Sequence, residues 1–275
     1  MPELPEVETI RSGLVVLEGS VLRGVEVRDV RLRRRVSPGA LQRLVGRRLL
    51  RAGRRAKYLL LPMSEGGGLV IHLGMSGRLF MVAPGTPVGP HDHVSWRLEG
   101  AAGERELRFR DPRRFGLVAA RGAGDLRADP LFRHLGPEPL GETFTAEYAL
   151  AAARGSRRTI KDVLMDGRFV VGVGNIYASE SLWQAGVNPK TRAGRISHRR
   201  WLRLTGAVRD VLRRAVASGG TTLNDFRSAS GDPGYFQVEL AVYGREGSQC
   251  SRCGLAVRRI VQGGRSTYYC CGCQH

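Results

Sequence analysis

The feature that most constrains this chain lies at its end, where all five cysteines fall within the last 26 of 275 residues. Cys250-x-x-Cys253 and Cys270-x-x-Cys273 are separated by sixteen residues. Two tight knuckles of this kind place four thiolates around one point, the ligand set of a closed tetrahedral zinc site. Such a site is structural, because no coordination position is left for a substrate. The run AVRRIVQGGRSTYY between the knuckles reads as a β-hairpin with Gly263-Gly264 at its turn. Two disulfides are the competing reading, and those persist in oxidising compartments. The acidic opening MPELPEVETI lacks the basic-then-apolar pattern of a secretory signal, so an intracellular, cytoplasmic location is expected. Cys271 is left over without a role.

Charge narrows the partner. Lys and Arg total 44 against 25 Asp and Glu, a formal net charge of +19. A field of that size favours a polyanion through phosphate contacts and counterion release. Only Lys57, Lys161 and Lys190 are lysines, however, and an arginine-biased composition by itself gives a basic surface. No uninterrupted apolar run of about 18 residues is present, so no membrane-spanning helix and no membrane partner are expected. Neither a Ser-His-Asp set nor a phosphate-cradling P-loop stands out.

Periodicity divides the chain. Leu4, Val7, Ile10, Leu14 and Leu17 recur at helical spacing over 3–17. Short extended runs follow: VLRGVEVRDV, KYLLLP, GLVIHLGMSGRLF, HVSWRLEG, RELRFRD and FGLVAA. They suggest a β-sandwich with a helix packed against it. Helical patterns return at 145–153, 159–165, 176–185 and about 197–217. The class is therefore α+β, an N-terminal β-sandwich with flanking helices followed by a helical domain and the cysteine hairpin. The expected divisions are a sandwich domain over 1–130, a linker over 131–150, a helical domain over 151–238 with a Gly-rich loop at 219–237, and the hairpin domain over 239–275.

The N-terminus carries the sharpest chemistry. Proline at position 2 permits removal of the initiator Met, which exposes a secondary amine. An α-amino group titrates near pH 8, and the positive end of a helix lowers that value. Such an amine can attack an electrophilic carbon and form an iminium. Glu3 stands next to it as a general acid or base. A plain helix start explains the same residues.

MPELPEVET resembles the opening of the formamidopyrimidine-DNA glycosylase family, also called Fpg or MutM. The resemblance continues through RRAKYLLL at 54–61, IHLGMSGRL at 71–79, DPRRFG at 111–116 and HLGPEPL at 134–140. It extends to LMDGRFVVGVGNIYASESLWQAG at 164–186, GGTTLNDF at 219–226, PGYFQVELAVYGREG at 233–247 and the cysteine finger. It implies a helix–two-turns–helix domain, one structural zinc ion, and a monomer acting on double-stranded DNA that contains oxidised bases. The implied activity is removal of oxidised purines (8-oxoguanine and formamidopyrimidines), then abasic-site cleavage by β,δ-elimination, in bacterial cytoplasm at the nucleoid.

The resemblance also assigns residues. Pro2 is the implied nucleophile, Glu3 assists ring opening and proton transfers, and Glu6 supports the active site. Lys57 contacts phosphate or the lesion. Met75, Arg113 and Phe115 match the positions that fill the space left by a flipped base. The bland reading of Met75 and Phe115 is core. Asn175 caps the second helix of the two-turns element, where a phosphate can be held. Lys161 matches a DNA-facing cation, with a solvated charge as the alternative. Arg265 matches the finger arginine that grips phosphate, and His72 is either a phosphate contact or a satisfied buried histidine. Cys250, Cys253, Cys270 and Cys273 are the implied zinc ligands.

Two other readings compete. An endonuclease VIII-like enzyme for oxidised pyrimidines shares the proline, glutamate, lysine and finger plan. The PELPEVET opening and the full 219–237 loop, which resembles one folding over a flipped 8-oxoguanine, favour the purine branch. SASGDP in that loop departs from the family's usual wording and puts fine lesion preference in question. A catalytically silent zinc-containing DNA-binding protein would not need Pro2, Glu3 and Lys57 together.

Overall fold

The computed structural model describes residues 2–101, 103–220 and 240–275, and the 219–237 loop lies almost wholly outside them. The chain forms two compact units, one built on residues up to Arg133 and the other on His134–Ser218 with the C-terminal residues.

The first unit opens with α1 (Leu4–Gly13), which has Pro5 in its first turn and Glu3 at the N-cap. Helical spacing predicts one helix to residue 17; the α-helix instead stops at Gly13, and Leu14–Leu17 form a 3-10 turn. Next come β1 (Val21–Val27), a short α2 (Pro38–Gln42), β2 (Gly53–Arg55), β3 (Tyr58–Pro62) and β4 (Gly68–His72). Then follow β5 (Arg78–Val82), β6 (Asp92–Gly100), β7 (Gly103–Arg110) and β8 (Leu117–Arg121). Helix α2 is missing from the periodicity reading, although Ser37 at its N-cap and Pro38 behind it are ordinary start signals.

Two four-stranded antiparallel sheets result, in the orders β1-β6-β7-β5 and β2-β3-β4-β8. Alternate residues from both enter one core: Val94, Trp96 and Leu98 of β6, Leu107 and Phe109 of β7, Leu59 and Leu61 of β3, and Leu69 and Ile71 of β4. That period of two marks a sandwich. Val7, Ile10, Leu14 and Leu17 join the same cluster, so the N-terminal segment is anchored in it. The pattern reads 68–80 as one extended run, yet β4 and β5 belong to different sheets. The chain changes sheet at Gly74–Gly77, where the Gly77 N–H returns to the Leu73 carbonyl at 2.9 Å. Gly74 sits at φ +65°, and a Cβ there would lie 2.4 Å from the Phe115 carbonyl carbon. Glycine is required at this point.

In the second unit, Thr145 and Thr159 cap α3 (Ala146–Ala152) and α4 (Ile160–Leu164) by accepting the N–H groups of Tyr148 and Asp162. Next come α5 (Asn175–Ala185) and α6 (His198–Ala217). Trp201, Leu204, Val208, Val211, Leu212 and Ala215 form the buried stripe of α6. Residues Ile176 to Leu182 of α5 are buried without interruption, which makes it the central helix. The hairpin β9 (Arg258–Gln262) and β10 (Arg265–Tyr269) pairs Gln262 with Arg265, leaving Gly263-Gly264 as a two-residue loop. Both glycines have positive φ, 53° and 72°, as a type I′ turn requires. Among the described residues no helix is long and apolar enough to cross a membrane.

Candidate active site and nucleic-acid interface

Pro2 is half-buried immediately before the N-cap of α1. The positive end of the α1 dipole therefore lies just after it in the chain. Glu3 and Glu6 are each 3% exposed. The Glu3 N–H donates to Glu6 Oε2 at 2.8 Å, which fixes the backbone next to Pro2. One turn on, Glu8 pairs with Arg11 at 2.5 Å and with Arg54 of β2 at 2.7 Å. Burial pushes the Glu8 carboxyl up, and the two guanidiniums outweigh it and hold it below the usual range. Arg54 also donates from Nη1 to the Ala56 carbonyl at 2.9 Å. Ala56 and Lys57 form the two-residue loop between β2 and β3, with Ala56 at φ +54°. A chain of contacts thus runs from α1 through Glu8 and Arg54 to the residue before Lys57. Neither Glu8 nor Arg54 stands out as a positioning residue in the sequence, because their pairing spans 46 positions.

His72 lies across the β3–β4 ladder from Tyr58, with ring centroids 4.6 Å apart. Its Nδ1 accepts the Gly74 N–H at 2.9 Å, so the neutral ring carries its proton on Nε2. Burial, then the charges of Lys57 and Arg33, lower its pKa from 6.5 to about 4. His72 is therefore a neutral donor near neutrality. His93 is buried with Nε2 2.8 Å from the Asp111 carbonyl, a structural contact, and His91 lies exposed at φ +66°.

Met75 and Phe115 are 45% and 46% exposed, so neither is a core side chain. Arg113 is exposed and stacks its guanidinium 4.9 Å from the Phe115 ring centroid. These three residues stand on two turns that share one buried carboxylate. Asp111 is fully buried; Oδ1 accepts the Ser76 hydroxyl and Oδ2 accepts the Gly116 N–H, each at 2.7 Å. Ser76 Oγ in turn accepts the Arg113 N–H at 3.2 Å. The DPRRFG motif contains Asp111, yet nothing local reveals that it ties the two turns together.

In the second unit, Lys161 departs from the expected surface cation. It is 1% exposed, and its ammonium donates to Thr267 Oγ1 at 2.5 Å and to the Ser266 carbonyl at 3.1 Å. The same carbonyl accepts from Asn175 Nδ2 at 2.9 Å. Gly174 holds the N-cap of α5, and Asn175 is its first helical residue. The side chain therefore reaches the hairpin rather than its own helix end, correcting the capping expectation. Arg265 is exposed at the start of β10, one residue before that shared carbonyl.

The Sγ atoms of Cys250, Cys253, Cys270 and Cys273 all lie within 4.8 Å of one another. Cys253 and Cys270 are 3.3 Å apart, and Cys250 and Cys273 are 3.9 Å apart. Tetrahedral Zn–S bonds of about 2.3 Å require sulfurs about 3.8 Å apart, so the set fits one zinc ion. The thiols strain against shared ionisation. Burial pushes Cys273 up to about 12, with the neighbouring thiols adding to it, and Cys270 also rises. Cys250 falls to about 6 despite burial, through Trp183 and two backbone N–H groups. A bound dication relieves that crowding. Glu180 of α5 anchors the approach to the finger by accepting the N–H groups of Ala241, Val242 and Tyr243 at 2.8–3.0 Å.

A profile of the formamidopyrimidine-DNA glycosylase N-terminal domain matches residues 1–118, and one of the formamidopyrimidine-DNA glycosylase H2TH domain matches residues 135–227. Formamidopyrimidine-DNA glycosylase of Acidithiobacillus ferrooxidans is 50% identical over the full length of both chains. That of Stenotrophomonas maltophilia is 48% identical, again over both full lengths. Among solved structures, MutM (Fpg) of Thermus thermophilus superposes with a TM-score of 0.86 at 43% identity, covering 99% of this chain and 98% of its own. Lactococcus lactis Fpg (MutM), in complex with DNA containing N7-benzyl-Fapy-dG, superposes with a TM-score of 0.90 at 31% identity, covering 99% of both chains. The chain belongs to the formamidopyrimidine-DNA glycosylase family.

Proposed function

We propose that this protein is a bifunctional DNA glycosylase and abasic-site lyase for oxidised purines in duplex DNA. The observation that carries the reading is the placement of Pro2 against a helix N-terminus beside buried Glu3, in a chain of this family. With Met1 removed, the Pro2 nitrogen attacks C1′ of the damaged nucleotide and the C1′–N bond to the base breaks. Glu3 assists opening of the sugar ring and the proton transfers that complete the iminium. Successive β- and δ-elimination then expel the 3′ and 5′ phosphates and leave a one-nucleoside gap. Lys57 contacts phosphate or the lesion, His72 offers an uncharged N–H, and Glu6 keeps the Glu3 backbone in place.

Met75, Arg113 and Phe115 occupy the space vacated by the flipped base. Arg265 grips phosphate; Lys161 and Asn175 serve that contact by holding the hairpin that presents it. Cys250, Cys253, Cys270 and Cys273 hold one zinc ion, which supplies folding energy to the finger and no reacting group. The protein acts as a monomer in bacterial cytoplasm, where its genomic substrate lies.

Lesion range is the part most in need of a direct test. A related structure contains Lactococcus lactis Fpg with DNA carrying an oxidised pyrimidine, so pyrimidine lesions belong in the panel. Duplexes carrying 8-oxoguanine, a formamidopyrimidine or an oxidised pyrimidine are incubated with the protein, and released base and strand ends are analysed separately. Fastest release of the purine lesions, with phosphate on both sides of the gap, is expected. Preference for the pyrimidine would favour the endonuclease VIII-like reading, and binding without base release would favour a silent DNA-binding protein.

A further inference from the structure

Four thiolates around one dication leave two net negative charges, and a half-buried site must find donors for them. Backbone N–H groups of the knuckles serve Cys250 and Cys270. Trp183 of α5 adds a side-chain donor, with its indole Nε1–H 3.4 Å from Cys250 Sγ. We propose that Trp183 is a positioning residue of the metal site: its N–H orients the Cys250 thiolate toward the ion and offsets the sulfur's charge. The proposal rests on the zinc reading above.

The surroundings show why this contact is held in place. Trp183 packs against the small apolar cluster of the finger, formed by Val242, Cys250, Val257 and Cys270. On the ring face, the Arg252 guanidinium lies 4.3 Å from the centroid. Arg252 sits between Cys250 and Cys253 and donates to the carbonyls of Trp183 at 3.2 Å and Gln184 at 3.4 Å. Those carbonyls belong to the last turn of α5, where the Trp183 carbonyl also accepts the Gly186 N–H at 3.1 Å. The first knuckle and the helix end are therefore joined. The second knuckle is held separately. Gln274 donates to the Val187 carbonyl at 2.9 Å while its Oε1 accepts the Cys270 N–H at 2.8 Å. One ligand pair is thus tied to α5 through an indole and an arginine, the other to Val187 beyond the helix through a buried amide. Only the first tie ends on a sulfur atom among the described contacts.

Outer donors to metal ligands typically change metal affinity by about 10- to 100-fold when removed. In the full-length chain, Trp183→Phe keeps an aromatic ring and deletes the N–H. Zinc content is first measured by metal analysis, and release is then timed with a colorimetric chelator. Release about tenfold faster than wild type is expected. Cobalt(II) replaces zinc in a second sample, where the loss of an N–H···S bond raises the sulfur lone pair and moves the sulfur-to-metal band to longer wavelength. Benzothienylalanine at position 183 keeps the bicyclic shape without the N–H, and it should reproduce both changes. Faster release with Phe alone, and none with the bicyclic analogue, would assign Trp183 to packing and overturn the hydrogen-bond role. Unchanged release and an unmoved cobalt band in both variants would overturn it as well. A wild-type chain that takes up neither zinc nor cobalt at the four thiols would instead overturn the zinc reading itself, and this proposal with it.

Discussion

The two units hold their functional groups by different means. In the first, one large apolar core joins both sheets and α1, and Pro2, Glu3 and Lys57 sit on short extensions of it. In the finger, the apolar cluster is limited to Val242, Cys250, Val257 and Cys270 with a few flanking side chains. Two of those four core members are themselves ligand cysteines. Position is set by packing and backbone hydrogen bonds in one region and, on the proposed zinc reading, by a metal with its surrounding contacts in the other. The difference teaches that chemistry should be separable from stability in the first unit and inseparable from it in the finger.

The largest expected effect breaks chemistry alone. Pro2→Gly replaces the constrained ring nitrogen with a looser primary amine and should lower strand incision by on the order of a hundredfold or more. Duplex affinity and thermal unfolding should stay near wild type. Glu3→Gln should lower incision by about a hundredfold or more. A variant at either position that loses its fold together with its activity would contradict the separation.

The finger should behave in the opposite way. Zinc extraction, or Cys250→Ser, should weaken lesion-duplex binding by about 10- to 100-fold while the first unit keeps its unfolding transition, measured by calorimetry and equilibrium binding. Arg265→Ala should give a milder loss and reduce the logarithmic salt slope by about 1. Full affinity after verified metal loss would remove the finger from the DNA interface.

How much of this was legible in the sequence follows the same division. The cysteine spacing, the Gly263-Gly264 loop and the α6 stripe are local patterns, and the structure follows them closely. The break between β4 and β5 was hidden because residues 68–80 are extended on both sides of a turn that changes sheet. Asp111 was hidden for a stronger reason: its partners are Ser76, 35 positions away, and Gly116. Nothing local singles out Trp183, because its role depends on a sulfur 67 positions further on. Lys161 read as a solvated or DNA-facing charge because nothing nearby in sequence announces Thr267 and the Ser266 carbonyl.

Asp111 sharpens the comparison further. Asp111→Asn keeps the shape but turns one acceptor into a donor facing Ser76 or Gly116, a change worth about 1–3 kcal/mol for a buried group. The turns carrying Met75 and Phe115 should loosen, lowering kcat/KM on lesion duplex about tenfold with binding to undamaged duplex unchanged. Equal loss on both duplexes would argue for general destabilisation.

The smallest effect concerns His72. Its folded pKa of about 4 lies below the ordinary 6.5, so the folded protein takes up this proton less readily than the unfolded chain. The stabilisation is complete above pH 6.5 and drains away as pH falls toward 4. His72→Asn retains an acceptor for the Gly74 N–H without titrating, and should flatten the stability profile across that window. Parallel profiles for the two proteins would place the titrating group elsewhere.

The central claim is that the amine of Pro2 becomes bonded to DNA. Borohydride trapping on a duplex with one 8-oxoguanine opposite cytosine, followed by mass analysis of the N-terminal peptide, tests it directly. A stable adduct on the Pro2 nitrogen is the expected result. No adduct, in protein shown to lack Met1 and to bind the duplex, would contradict the account.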